Sequence, residues 1–233
     1  MTKVFAVSYC LCLAIFWGLT PAVAANAPAM LTPGQFNVTA TGGFTYTVPI
    51  AVPPGTGGMV PALSLDYSSQ SGDGNLGLGW ALSGLPSIVR CPRTQTQDAV
   101  HGGVNYDMND RYCLDGQRLV LTSGTYGAAN SQYRTEVEGF SKIVAYGTAG
   151  NGPAYFKVWT KAGQIMEFGN TMDSQVLAVG KTTARAWGVN KITDTKGNYL
   201  AVTYNSATGT DRTTKGEAYP LEIDYTGNAS SSP

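Results

Sequence analysis

The chain has 233 residues, a formal net charge of zero and only 13% charged residues. Balanced charge argues against nucleic acid, whose binding rests on clustered Lys and Arg meeting phosphates. The length suits one all-β body, or two small subdomains, with a real buried core, and the abundance of Gly, Thr, Ser and Tyr suits strands, tight turns and export.

Residues 1–24 read as a secretory signal peptide. Lys3 is a short basic n-region, Val4 to Leu19 is almost unbroken apolar sequence, and Thr20-Pro21-Ala22-Val23-Ala24-Ala25 supplies a small-residue site cut after Ala24. The apolar run is shorter than the roughly 20 residues that a membrane span needs, so no membrane attachment is expected after cleavage. Ser8-Tyr9 before Cys10 is not a lipobox. The localisation that follows is secreted, extracellular or cell-surface, with the periplasm as a transit compartment.

Export changes the meaning of the cysteines. Cys10 and Cys12 leave with the signal peptide, and Cys91 and Cys113 remain. An even pair in an oxidising compartment reads as one disulfide, worth roughly 3 kcal/mol on the chain-entropy account; two unpaired thiols are the alternative.

Residues 25–33 read as a flexible leader, 34–228 as a β domain, and 229–233 as a tail or truncation point. Phe36, Val38 and Ala40 alternate before Thr41-Gly42-Gly43. The stretch from Phe44 to Arg90 then organises the chain. Phe44, Tyr46, Val48, Ile50 and Val52 share one parity, which places them on one strand face. Pro53-Pro54-Gly55 stops that run, and Leu63, Leu65 and Tyr67 alternate in the next. A glycine-dense loop follows, in which Gly77 and Gly79 are expected to permit positive φ around Trp80, the expected centre of the core.

Beyond Arg90, residues 94–110 read as a long polar loop carrying His101, the only histidine. Asp115-Gly116 between Arg111–Leu114 and Arg118–Leu121 is a strong hairpin signal. Further hairpins are marked by Glu138-Gly139, by the turn ending at Gly163 and by the turn at Asp194 to Asn198. The last two form a weak internal repeat of about 34 residues, though any meander reuses glycine turns. Apolar residues nowhere recur with helical spacing over three turns. The fold class expected is all-β: antiparallel hairpins or a meander forming a β-sandwich or partial β-shell, with little helix.

Chemistry is sparse. A Ser or Cys nucleophile needs a base, and His101 sits in a glycine-flanked loop with no G-x-S-x-G elbow. Asp66, Asp73, Asp107, Asp110 and Asp115 could in principle supply paired carboxylates, but they read better as turn formers. The loop Gly72 to Gly79 is not followed by a helix that could hold phosphate. Asn105, Asp107, Asn109 and Asp110 faintly echo a calcium loop but lack its central Gly and closing Glu. No cofactor is expected. Tyr126, Tyr133, Tyr146, Tyr155, Trp159 and Trp187 are either a sugar platform or cross-strand core residues.

Several ordered blocks nonetheless carry a resemblance. Gly43-Phe44-Thr45-Tyr46-Thr47-Val48-Pro49-Ile50, Pro61-Ala62-Leu63-Ser64-Leu65-Asp66-Tyr67, Leu76-Gly77-Leu78-Gly79-Trp80 and Asp110-Arg111-Tyr112-Cys113-Leu114-Asp115-Gly116-Gln117-Arg118-Leu119 resemble the SpvB-type N-terminal region. That region opens the B subunits of bacterial toxin complexes and many Rhs (YD-repeat) proteins. The resemblance implies a non-enzymatic scaffold, the first part of a β-rich shell whose partners are other proteins or downstream shell segments. The alternative is a secreted module that binds glycans or host surfaces. The chain departs from the family by ending where repeats would begin, and no catalytic residue carries over.

Overall fold

The computed structural model describes residues 33–74, 76–206, 216 and 218–229. The expected signal peptide, nearly all of the leader and most of the tail lie outside the described residues.

The chain opens with β1 (Gln35–Val38), β2 (Phe44–Pro49), β3 (Ser64–Ser68), the small hairpin β4 (Asp73–Gly74) and β5 (Gly77–Leu78), and β6 (Trp80–Ser83). β7 (Ser87–Cys91), a single helical turn α1 (Gln95–Asp98), β8 (Arg111–Leu114), β9 (Gln117–Ser123), β10 (Gln132–Thr135) and β11 (Lys142–Tyr146) follow. Then come β12 (Tyr155–Trp159), β13 (Ile165–Phe168), β14 (Gln175–Leu177), β15 (Ala184–Thr193), β16 (Asn198–Ser206) and β17 (Ala218–Asn228).

These strands form two main bodies of sheet. The first is four-stranded, in the order β1-β2-β3-β6. Its register aligns Phe36 with Tyr46, Tyr46 with Tyr67 and Tyr67 with Trp80, so one face is apolar and the other carries Thr45, Thr47, Asp66 and Ser83. This is the parity expected for Phe44, Tyr46 and Val48, although the strand ends at Pro49, which has no N–H to continue the ladder.

The second body is a barrel. β7 to β13 run as an antiparallel meander, and β15 closes it by pairing with β7 through Ala186–Gly188 and with β13 through Val189–Thr193. Eight strands, β7 to β13 and β15, thus make a ring without an edge. Among the forms that an antiparallel meander can take, this chain adopts a closed barrel with sheet appended. β14 pairs with the first half of β15, and β16 and β17 extend from its second half.

Turn chemistry explains the short connections. Asp115 (φ 46°) and Gly116 (φ 80°) both sit in the left-handed region, as the two-residue hairpin between β8 and β9 requires. Gly79 (φ 77°) is held more tightly, because a Cβ there would lie 2.7 Å from the Ser68 carbonyl oxygen. Gly77 also has a positive φ, of 106°.

The core corrects one expectation. Trp80 is only half-buried and packs against Tyr67 in the small sheet, with ring centroids 5.3 Å apart. Trp187 is the fully buried centre of the barrel, touching Tyr112 and Phe156 edge-on at 5.5 and 5.0 Å. An open four-stranded sheet cannot enclose an indole, whereas a closed ring of strands surrounds it. Cys91 and Cys113 are joined by a disulfide across β7 and β8, with Cα atoms 6.0 Å apart.

Candidate functional site

The most developed polar constellation lies at one mouth of the barrel. Strand alternation turns Ile88 and Arg90 of β7 inward, so Arg90 enters the mouth as a buried cation. Its Nε donates to the Ala184 carbonyl at 2.7 Å, and its Nη2 donates to the Asn151 carbonyl at 2.7 Å. Its Nη1 donates to the Asp107 carbonyl at 2.9 Å and to Asp110 Oδ2 at 3.0 Å. The guanidinium also lies 5.5 Å from the Tyr112 ring and 5.7 Å from the Trp187 ring.

Asp110 is equally committed. Its Oδ1 accepts the Asn105 N–H at 2.9 Å and its Oδ2 accepts the Tyr106 N–H at 2.8 Å. One ion pair thereby ties together the β7–β8 loop, the β11–β12 loop and the first residue of β15. A buried pair needs such extra hydrogen bonds to offset the loss of hydration. Nearby, burial pushes the Tyr112 hydroxyl up to about 12.

This loop holds the residues that faintly echo a calcium site. Asp107 accepts the Asn109 N–H at 2.7 Å and the Asn109 side-chain amide at 3.3 Å. The Asn109 N–H holds the Asp107 carboxyl below its ordinary value. The oxygens of Asp107 and Asp110 therefore face N–H donors and a guanidinium. Among the described residues, no group of three or more His, Cys, Asp or Glu gathers in a way that could hold a metal ion.

The other residues singled out are dispersed. His101 is exposed on the same loop, beside the bridge between Arg93 and Gly102. Asp66 sits on the polar face of the small sheet, where the Ser83 hydroxyl, above all, holds its carboxyl low. Asp115 stands at the opposite mouth, its Oδ1 accepting the Ser87 N–H at 2.8 Å. Of the aromatic candidates, Tyr133 and Trp187 are buried and Tyr126 is largely so, all within the barrel. Tyr146 and Tyr155 stack on the outer wall at 5.0 Å, and Trp159, with Lys142 over its ring, lies at the other end of the same strand pair.

Sequence reasoning missed Arg90 and Asp98. Asp98 pairs with Arg111 at 2.7 Å and with Arg118, clamping α1 to β8 and β9. Arg90 left a readable signal, because it shares parity with Ile88 in an otherwise apolar run. Asp98 left none, since its partners are brought to it by the fold.

Closed barrel, appended sheets and a structural ion-pair network define the class: a β-rich module whose ionisable groups brace loops. The family model described as Salmonella virulence plasmid 65kDa B protein matches residues 38–224, and the chain belongs to this SpvB family. No curated protein matches it in sequence. Among solved structures, the chain is similar to TcdB2-TccC3 (TM-score 0.66, 20% identity, 87% of this chain and 11% of that one). It is also similar to the Photorhabdus luminescens Tc holotoxin pore (TM-score 0.63, 19% identity, 84% and 10%). The N-terminal domain of the effector protein SpvB from Salmonella typhimurium strain LT2 matches with TM-score 0.60 and 22% identity, over 79% of this chain and 65% of that one. The chain thus spans about a tenth of the toxin-complex chains and about two thirds of the SpvB domain.

Proposed function

We propose that this chain is a non-enzymatic structural module, the first part of a β-rich shell in a secreted protein of the SpvB and toxin-complex type. The observation that carries this reading is β17. Among the described residues this strand of 11 residues pairs only with β16, and Leu221 on it is 69% exposed. An unpaired strand edge offers its N–H and C=O groups to another strand, so it is a place where further sheet adds on. Export of the module is assigned to residues 1–24, and its partners are protein segments.

The test is hydrogen exchange on β17, measured in the chain alone and with shell segments of a toxin-complex protein added. Protection gained at β17 with the added segments supports the shell role. Unchanged exchange there, or hydrolytic or transferase turnover by the isolated chain, overturns it. Expression in a secreting host checks export, with a mature N-terminus at Ala25 expected.

A glycan- or host-surface-binding module is the second reading, favoured by the stacked Tyr146 and Tyr155 on the outer wall. That wall is convex, whereas sugar sites gather polar groups in a concavity. Loss of glycan-array binding in Y146A/Y155A would favour this reading over the shell.

A further inference from the structure

The two mouths of the barrel differ. Arg90, Asp110 and the β7–β8 and β11–β12 loops fill one of them. At the other, a cavity of about 470 Å³ opens between the β8–β9 turn, the β12–β13 turn and the Leu85–Pro86 segment. This volume is within the range of about 300–1,000 Å³ usual for small-molecule sites.

Its walls are the lowest layer of the barrel interior. Leu114 pairs with the fully buried Ile88, and Met166 pairs with Val158, so strand alternation points Leu114, Val158 and Met166 inward. Leu85 completes the apolar wall, and Ser141 and Thr160 stand at the rim. Eight-stranded barrels are just wide enough either to fill with side chains or to admit one small ligand.

One ionisable group borders this cavity. Asp115 is fixed by its turn: its own N–H donates to the Ser87 carbonyl at 3.0 Å, while its Oδ1 accepts the Ser87 N–H at 2.8 Å. Among the described residues no Lys, Arg or His forms an ion pair with it. Burial raises its carboxyl above the ordinary value. Asp110 has Arg90, Asp98 has Arg111, and Glu167 has Lys157 at 2.9 Å, whereas Asp115, like Asp66, is in no ion pair among the described residues. Asp115 is exposed to solvent at the rim, and it is the charged group that this cavity presents to a guest.

From this juxtaposition we infer that the open mouth is a binding site for a small primary ammonium with a short apolar tail. The tail lies against Leu85, Leu114 and Met166, and the ammonium sits on the free oxygen of Asp115. An anionic guest is repelled by the same carboxylate, and a neutral one gains nothing from it.

The probes are n-hexylammonium, hexanoate and n-hexanol, titrated separately into ¹⁵N-labelled protein while amide shifts are followed. Hexylammonium is expected to shift Leu85, Leu114, Asp115, Ser141 and Thr160 saturably, with hexanoate leaving them unmoved. D115N keeps a residue that tolerates positive φ, so the turn survives, and hexylammonium is expected to bind about threefold to fivefold more weakly, the effect of losing an exposed ion pair. Thermal unfolding of D115N checks that it is folded, and the comparison of guests on the wild-type chain stands without any variant. Equal binding of hexanol and hexylammonium, unchanged affinity in D115N, or no saturable shift at these residues each overturns the assignment.

Discussion

Arg90 illustrates how a single inward charge can organise a β-barrel. Its hydrogen bonds reach Ala184, Asp107, Asp110 and Asn151, residues far apart in the chain. Both ion-pair side chains are only 1% exposed, so water cannot replace a lost partner. D110A should therefore cost about 3–5 kcal/mol, the range for stranding one member of a buried pair. The double variant R90M/D110A should recover only part of this, because the N–H groups of Asn105 and Tyr106 still lose their acceptor. Urea unfolding measures both, and a loss below about 1 kcal/mol in D110A would mean that the pair is dispensable.

At the scale of elements, the turns show how backbone conformation and surrounding space act separately. A Cβ on Gly116 would meet nothing within 4 Å, so G116A pays only for the left-handed backbone, about 1–2 kcal/mol. G79A carries the same backbone penalty and also drives a methyl to 2.7 Å from a main-chain oxygen, which cannot swing away as a side chain would. The larger loss should thus fall on G79A in urea unfolding, and equal losses would contradict that steric account. The contrast also shows what was legible in the sequence. Asp115-Gly116 was readable because its turn is specified by the two residues themselves. The turns closing at Gly163 and Gly197 were readable for the same reason, and both glycines adopt φ 82°. The exchange of Trp80 for Trp187 as core centre was not, because either tryptophan fits a local alternating pattern. Which one is enclosed depends on β15, whose two halves pair with β7 and β13. Those partners are far away in the chain, and no turn motif encodes them.

Over the whole molecule, burial is uneven, and that sets an order of opening. Barrel strands carry fully buried residues at alternate positions: Ile143 and Ala145 in β11, Phe156 and Val158 in β12. In the four-stranded sheet β1 is exposed throughout, and Phe36, Val38 and Phe44 are 74%, 60% and 42% exposed. The sheet has an apolar face by sequence, yet among the described residues few side chains cover it, so its alternation reads like core without being core. Regions with little buried apolar area open by local fluctuation well below the global unfolding free energy. Native-state hydrogen exchange should accordingly find β2–β3 amides exchanging by local opening, while β11 and β12 exchange only with complete unfolding of the barrel. A protein partner that covers the apolar face should raise protection in β2 and β3 and leave β11 and β12 unchanged, since those strands are already closed on both edges. Uniform exchange free energies across both sheets in the isolated chain would show that the small sheet is an integral part of the barrel's cooperative unit, and would remove the reason to expect anything to cover it.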